Sequence, residues 1–173
     1  MTCEQEEKLN IILSDIGNKF PRNIVDICNR MGLDVEETED FPSDISGLIY
    51  KKDDKYIILV NAFHKIGRKS FTIAHELGHF VLHKQLLDEK SEIVSYIKSK
   101  EEDIFPALPR CGTNYNCYET QANNFAANIL MPEDEFIRIC DKVNSIEEIA
   151  AYFGVSIQAA TIRAQKVKGI FFL

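Results

Sequence analysis

His75-Glu76-Leu77-Gly78-His79 is the stretch around which this chain is read. On an α-helix, residues i and i+4 share a face, so the two imidazoles point to one place. Two nitrogen donors from one rigid turn form half of a tetrahedral zinc site. Glu76 lies between them and can reach a water polarised there. It would take that water's proton and later deliver it to a leaving amine. The alternative is a chance match on a core helix. Gly78 leaves room for another element to pass close by.

A catalytic zinc site needs a third protein ligand and an open position. The candidate is Glu119, which heads the segment Glu119-Thr120-Gln121-Ala122-Asn123-Asn124-Phe125-Ala126-Ala127. Ala122 and Ala126 are small enough for this helix to pack closely on the first. Asn123, one turn after Glu119, is expected to orient its carboxylate.

Working outward, Leu9, Ile12, Leu13 and Ile16 carry the spacing of an amphipathic helix over about 4–19. Ile24, Val25, Ile27, Cys28 and Met31 stripe a second helix that Gly32 can end. Leu33–Val35, Ser46–Tyr50 and Tyr56–Val60 read as short strands, the last two forming a hairpin across Lys51–Lys55. The helix bearing the two histidines should run from Lys69 to His83. Residues 84–118 read as an irregular insertion with a helix near 90–99. Tyr118–Leu130 is apolar and alanine-rich. Pro132 suits a helix start, Ser145 with Glu148 is a capping box, and Gly154, Ser156 and Gly169 mark later ends and starts. The expected fold is α+β: a mainly helical core with a small antiparallel β-sheet, followed by C-terminal helices over about 133–169. Residues 1–173 are expected to form one domain.

His75–His79 and, 40 positions beyond His79, Glu119-x-x-Ala-Asn-x-Phe-Ala-Ala-x-Ile-Leu-Met-Pro132 together resemble the ImmA/IrrE family of metallopeptidases. The flanking Arg68–Ala74, the trailing Val81-Leu82-His83, Ser46-Gly47 and Val60-Asn61 also resemble its pattern. The resemblance covers about residues 20–160. It implies a gluzincin-like zinc peptidase with one Zn2+ per chain, His75, His79 and Glu119 as ligands and Glu76 as general base. It further implies a protein substrate, a helix-turn-helix repressor cut to derepress a mobile element, prophage or stress regulon. Some members carry a further C-terminal sensor domain, for which this chain is expected to be too short. In related zinc peptidases an edge strand pairs with the substrate, and Tyr56–Val60, just before the histidine helix, is the expected counterpart.

Other residues carry a sharper and a blander reading each. His83, four residues beyond His79, is a fourth ligand, a transition-state donor or a packed histidine. His64 reads as a loop histidine. Tyr50, Tyr56, Tyr115 and Tyr118 are candidates for oxyanion stabilisation, none favoured over the others. Pro109-Arg110-Cys111-Gly112 resembles the cysteine-switch tetrapeptide of matrix metalloproteinase propeptides, in which a thiolate fills the open zinc position. Cys111 is therefore a candidate switch, a partner for Cys117 or a free loop thiol. Ile146–Ala164 has the small-residue spacing of a helix-turn-helix, with Arg163, Lys166 and Lys168 beyond. This supports a second hypothesis, a non-catalytic regulator that binds a repressor or DNA. The Glu36–Asp40 run reads as a solvated loop.

Lysine and arginine number 20 against 27 acidic residues, a net charge of −7. That balance lacks the electrostatic footprint of a nucleic-acid binder and argues against adhesion to an anionic membrane. The acidic start, Met1 to Glu7, lacks the basic and apolar regions of a secretory signal. No apolar run approaches a membrane span. Five scattered cysteines suit a reducing compartment. The expectation is a cytoplasmic protein.

Overall fold

The structure is a computed structural model, and it describes residues 3–89 and 114–169. Helices α1 (Cys3–Ile16) and α2 (Ile24–Met31) come first. A three-stranded sheet follows: β1 (Leu33–Thr38), β2 (Gly47–Lys52) and β3 (Lys55–Asn61). Helices α3 (Ile66–Glu89), α4 (Asn114–Leu130), α5 (Glu133–Cys140), α6 (Ile146–Phe153) and α7 (Ile157–Lys168) complete it. This is the expected mainly helical α+β architecture. Among the described residues no helix is long and apolar enough to cross a membrane.

The sheet differs from the expected antiparallel one. Its order is β1-β3-β2, with β1 parallel and β2 antiparallel to β3, so it is mixed. Leu33 pairs with Tyr56 and Thr38 with Asn61. Glu36, Glu37 and Thr38 are therefore strand and not solvated loop, and Glu37 is held by Lys69 of α3 at 2.7 Å. The β2–β3 turn shrinks to Asp53-Asp54, both in left-handed backbone, at φ 48° and 63°. Two successive positive-φ residues suit a tight hairpin, and aspartate tolerates them better than most side chains. Because β3 lies in the middle, Tyr56–Val60 is no edge: both its hydrogen-bonding sides are occupied. Among the described residues the edges are β1 and β2. That corrects the expected substrate strand.

Several local signals hold. Gly32 ends α2 in left-handed backbone, and Asn23, which the sequence reading did not single out, accepts from the Asp26 N–H at its start. Ser145 and Ser156 accept from Glu148 N and Ala159 N as caps. Arg22 Nη1 and Arg163 Nε donate to the carbonyls of Ile129 and Met131, at 2.7 and 3.1 Å. Two guanidinium groups thus satisfy carbonyls at the C-terminal end of α4, where the helix leaves acceptors without partners.

Residues Phe71 to Val81 of α3 are all buried, so this helix is enclosed on all its faces. Its entry is fixed by Asn61. The Asn61 amide donates to Pro42 O and Ile45 O, at 3.2 and 2.9 Å, and its oxygen accepts from Phe63 N at 3.0 Å. Gly47 sits against α3, and a Cβ there would lie 2.5 Å from Thr72 Cγ2 and 2.8 Å from Leu59 O. Asn61→Ala removes three hydrogen bonds from a side chain that is 1% exposed. It is expected to lower stability by about 2–4 kcal/mol, read from urea unfolding; a loss below ~1 kcal/mol would show that the loop closes without it.

Candidate metal centre

Among the described residues, α3 and α4 form the most extensive helix pair, and they are antiparallel: Gly78 meets Ala122 while His83 meets Tyr118. A Cβ on Gly78 would lie 3.0 Å from Phe125 Cδ1 and 3.2 Å from Ala122 Cα. The small residues at this crossing bring Glu119, one turn from Ala122, onto the histidine face of α3.

There three donors converge. His75 Nε2 lies 3.2 Å from Glu119 Oε2, His79 Nε2 lies 3.2 Å from Glu119 Oε1, and the two imidazole nitrogens are 3.0 Å apart. A tetrahedral ion with bonds of about 2.0–2.1 Å requires ligand atoms about 3.3 Å from one another. The three separations match that requirement, and the His75–His79–Glu119 group could hold a metal ion. His75 and His79 are buried, while the Glu119 side chain is 21% exposed, so the group opens on the carboxylate side.

The charges are arranged for a cation. Burial alone would raise the Glu119 pKa, but hydrogen bonds to His75 and His79 outweigh it and hold this carboxylate at about 2. Burial pushes His79 down to about 4, so its imidazole is neutral, the state a ligand needs. Burial also opposes charge on His75, yet the hydrogen bond to Glu119 and the charges of Glu76 and Glu119 raise its pKa. Glu76 is fully buried on α3. Two carboxylates thus face two imidazoles in a low-dielectric setting, an arrangement that a divalent cation would balance.

Other expectations resolve less evenly. Asn123 does not orient Glu119: its Oδ1 lies 2.8 Å from His75 Nδ1 and holds the imidazole instead. His83 lies outside the donor group. Its Nδ1 is 3.1 Å from His79 Nδ1 and its Nε2 is 2.7 Å from Gln121 Oε1. Burial lowers its pKa. Gln121 was missed, because nothing in its sequence neighbourhood marks it before α3 and α4 are brought together. Tyr56 bonds Asp88 through its hydroxyl, and Tyr118 packs edge-on against His83 at 4.8 Å. His64 lies outside the donor group; burial and the nearby Arg68 lower its pKa. The expected 84–118 insertion is shorter at both ends, because 84–89 continue α3 and 114–118 begin α4; Cys111, the helix near 90–99 and the rest of that segment lie outside the described residues. In α7, Arg163 is 3% exposed and Lys166 Nζ bonds Asn124 Oδ1, so both basic side chains are engaged with the protein itself.

A buried His–His–Glu group on two antiparallel helices, beside a small sheet, defines a candidate metallopeptidase centre. The chain belongs to the family of the IrrE N-terminal-like domain, which matches residues 28–165. It is similar to metallopeptidase ImmA of Bacillus subtilis (strain 168), 29% identical over 151 residues, which cover 83% of this chain and 76% of that protein. It is also similar to the uncharacterized immunity region protein 2 of Bacillus phage phi105, 26% identical over 114 residues, 66% of this chain and 61% of the relative. A solved structure described as a Mycobacterium tuberculosis transcriptional regulator shares the fold, with a TM-score of 0.61 at 17% identity. The match covers 94% of this chain and 47% of the other. This chain therefore spans less than two thirds of the phage relative and about half of the solved one.

The crossing at Gly78 generates a direct test. Gly78→Ala gains helix propensity but forces α4 outward by a few tenths of an ångström, and Glu119 moves with it. Zinc affinity, read by competition with a chromophoric chelator, is expected to fall about tenfold or more while helicity is kept. Wild-type affinity in the variant would show that Glu119 does not depend on this contact.

Proposed function

We propose that this protein is a zinc-dependent endopeptidase, one domain over residues 1–173, that acts in the cytoplasm on a helix-turn-helix repressor. The observation that carries the reading is a convergence: two imidazole nitrogens and a carboxylate lie 3.0–3.2 Å apart, with a buried glutamate on the same helical turn. A site kept only for structure has no use for a general base between its ligands, whereas hydrolysis does.

His75 Nε2, His79 Nε2 and the Glu119 carboxylate would hold the ion. Zinc, when bound, supplies Lewis acidity that polarises a water and the scissile carbonyl. The chain's own residues do the rest. Glu76 accepts the proton of the attacking water and passes it to the leaving amine. Its burial raises the value of that proton transfer by excluding competing solvent. Asn123 keeps the His75 ring turned so that Nε2 faces inward. An extended substrate would pair with β2, whose outer edge is unpaired among the described residues, since β3 has no free side.

The word "repressor" rests on likeness. The family resemblance supplies it, and the phage relative's description as an immunity region protein supports a regulatory setting. The mycobacterial structure supports the fold alone. Direct DNA binding is the weaker reading because Arg163 and Lys166, two of the basic residues offered to it, are tied to Met131 O and Asn124.

New protein N-termini should be compared in host cells expressing wild type or Glu76→Gln. The expected result is a terminus inside a helix-turn-helix regulator that appears with wild type only. Both purified proteins should bind one zinc, and chelation should abolish cleavage by wild type. Identical N-terminal profiles, with zinc bound in both, would leave the binding-protein alternative as the better account.

A further inference from the structure

Each imidazole of the donor group offers Nε2 inward, which requires its Nδ1 to carry the hydrogen. For His75 the cause is direct: the Asn123 amide oxygen, 2.8 Å away, can only accept. For His79 the nearest partner of Nδ1 is another imidazole nitrogen, His83 Nδ1 at 3.1 Å. That contact can run in either direction, and only one direction suits a metal ligand. If His83 donated, His79 would carry its hydrogen on Nε2, pointing at His75 and Glu119, and could not ligate.

We propose that Gln121 and His83 are positioning residues that form a tautomer relay for His79. The Gln121 Oε1 atom, 2.7 Å from His83 Nε2, only accepts, so His83 Nε2 must donate. A neutral imidazole has one N–H, so His83 Nδ1 is bare and accepts from His79 Nδ1–H. His79 Nε2 is left with its lone pair facing inward. The direction of the relay is set at its far end, where the Gln121 amide nitrogen turns toward Cys117 Sγ, one helical turn back, at 3.9 Å. Two further features support it. The backbone of α3 leaves helical geometry at His83 (φ −127°, ψ 23°), the residue whose ring bridges the helices. The ring is also braced edge-on by Tyr118 at 4.8 Å. One helix, α4, thereby supplies a candidate ligand and two amide oxygens, one for each histidine: Asn123 directly and Gln121 through His83.

This inference rests on the metal-site reading above, and its test separates the two. Long-range 15N–1H spectra of the side-chain nitrogens should be recorded for zinc-free and zinc-loaded protein. Zinc affinity should be measured for wild type, Gln121→Leu and His83→Phe. In wild type, His83 is expected as the Nε2–H tautomer with and without zinc, and His79 as Nδ1–H once zinc displaces the hydrogen its Nε2 shares with Glu119. Gln121→Leu should mix the His83 tautomers and weaken zinc about tenfold or more. His83→Phe, which keeps the ring contact but removes the acceptor for His79 Nδ1, should weaken zinc as Gln121→Leu does. A wild-type His83 protonated on Nδ1, or an unchanged affinity in either Gln121→Leu or His83→Phe, would overturn the relay. A wild type that shows His83 as Nε2–H yet binds no zinc would overturn the metal-site reading and leave the direction of the Gln121–His83 contact standing.

Discussion

The contact on which the rest depends is that of the Glu119 carboxylate with the two imidazoles of α3. It joins α3 and α4, the two longest helices among the described residues, beside their close approach at Gly78. Its geometry is fixed from below by Gly78 against Ala122, where no side chain keeps the backbones apart. A carboxylate and two imidazoles taken out of water cost several kcal/mol each unless their polar atoms find partners. Here each finds one: Glu119 bridges both rings, Asn123 holds one ring and His83 the other. The surrounding helices and sheet make that burial possible. Phe71–Val81 is enclosed between the sheet on one side and α4 on the other, and the two arginines at the end of α4 keep that helix in place.

Electrostatics and packing push in the same direction at this site. Burial alone would neutralise Glu119 and discharge His75. The hydrogen bonds and nearby opposite charges reverse both tendencies. The site therefore keeps its carboxylate ionised where a hydrophobic core would not, which is what a cation needs. His79 goes the other way and loses its charge to burial. Two neighbouring histidines on one helical face thus have opposite responses, because one has Asn123 and two carboxylates around it and the other faces a second imidazole.

The sheet shows where local reasoning fails. Residues 33–35 and 56–60 were each legible as extended, yet their pairing joins segments more than 20 positions apart in sequence, and no local signal carries it. Leu33–Thr38 crosses to the far side of β3, making the sheet mixed and β3 central. The Glu36-Glu37-Thr38 run looked like loop because it is charged; it is strand because β3 gives its backbone a partner and Lys69 gives Glu37 a charge partner. The hairpin turn was underestimated for a related reason, since two aspartates in left-handed backbone do the work expected of glycine.

The sequence by itself determined the helix carrying His75 and His79, the body of the helix carrying Glu119, and the caps at Gly32, Ser145, Gly154 and Ser156. These depend on spacing along one helix and on a few side chains next to the backbone they cap. It also marked the candidate donors, because residue type and an i, i+4 repeat are enough to place two imidazoles together. Only the tertiary structure decided which strand is central, that Asn123 serves His75 and not Glu119, and that Gln121 reaches His79 through His83. Those outcomes turn on the register of α4 against α3 and of β1 against β3. Register is set by which surfaces pack without voids or unpaired polar groups, and that is a property of two segments at once.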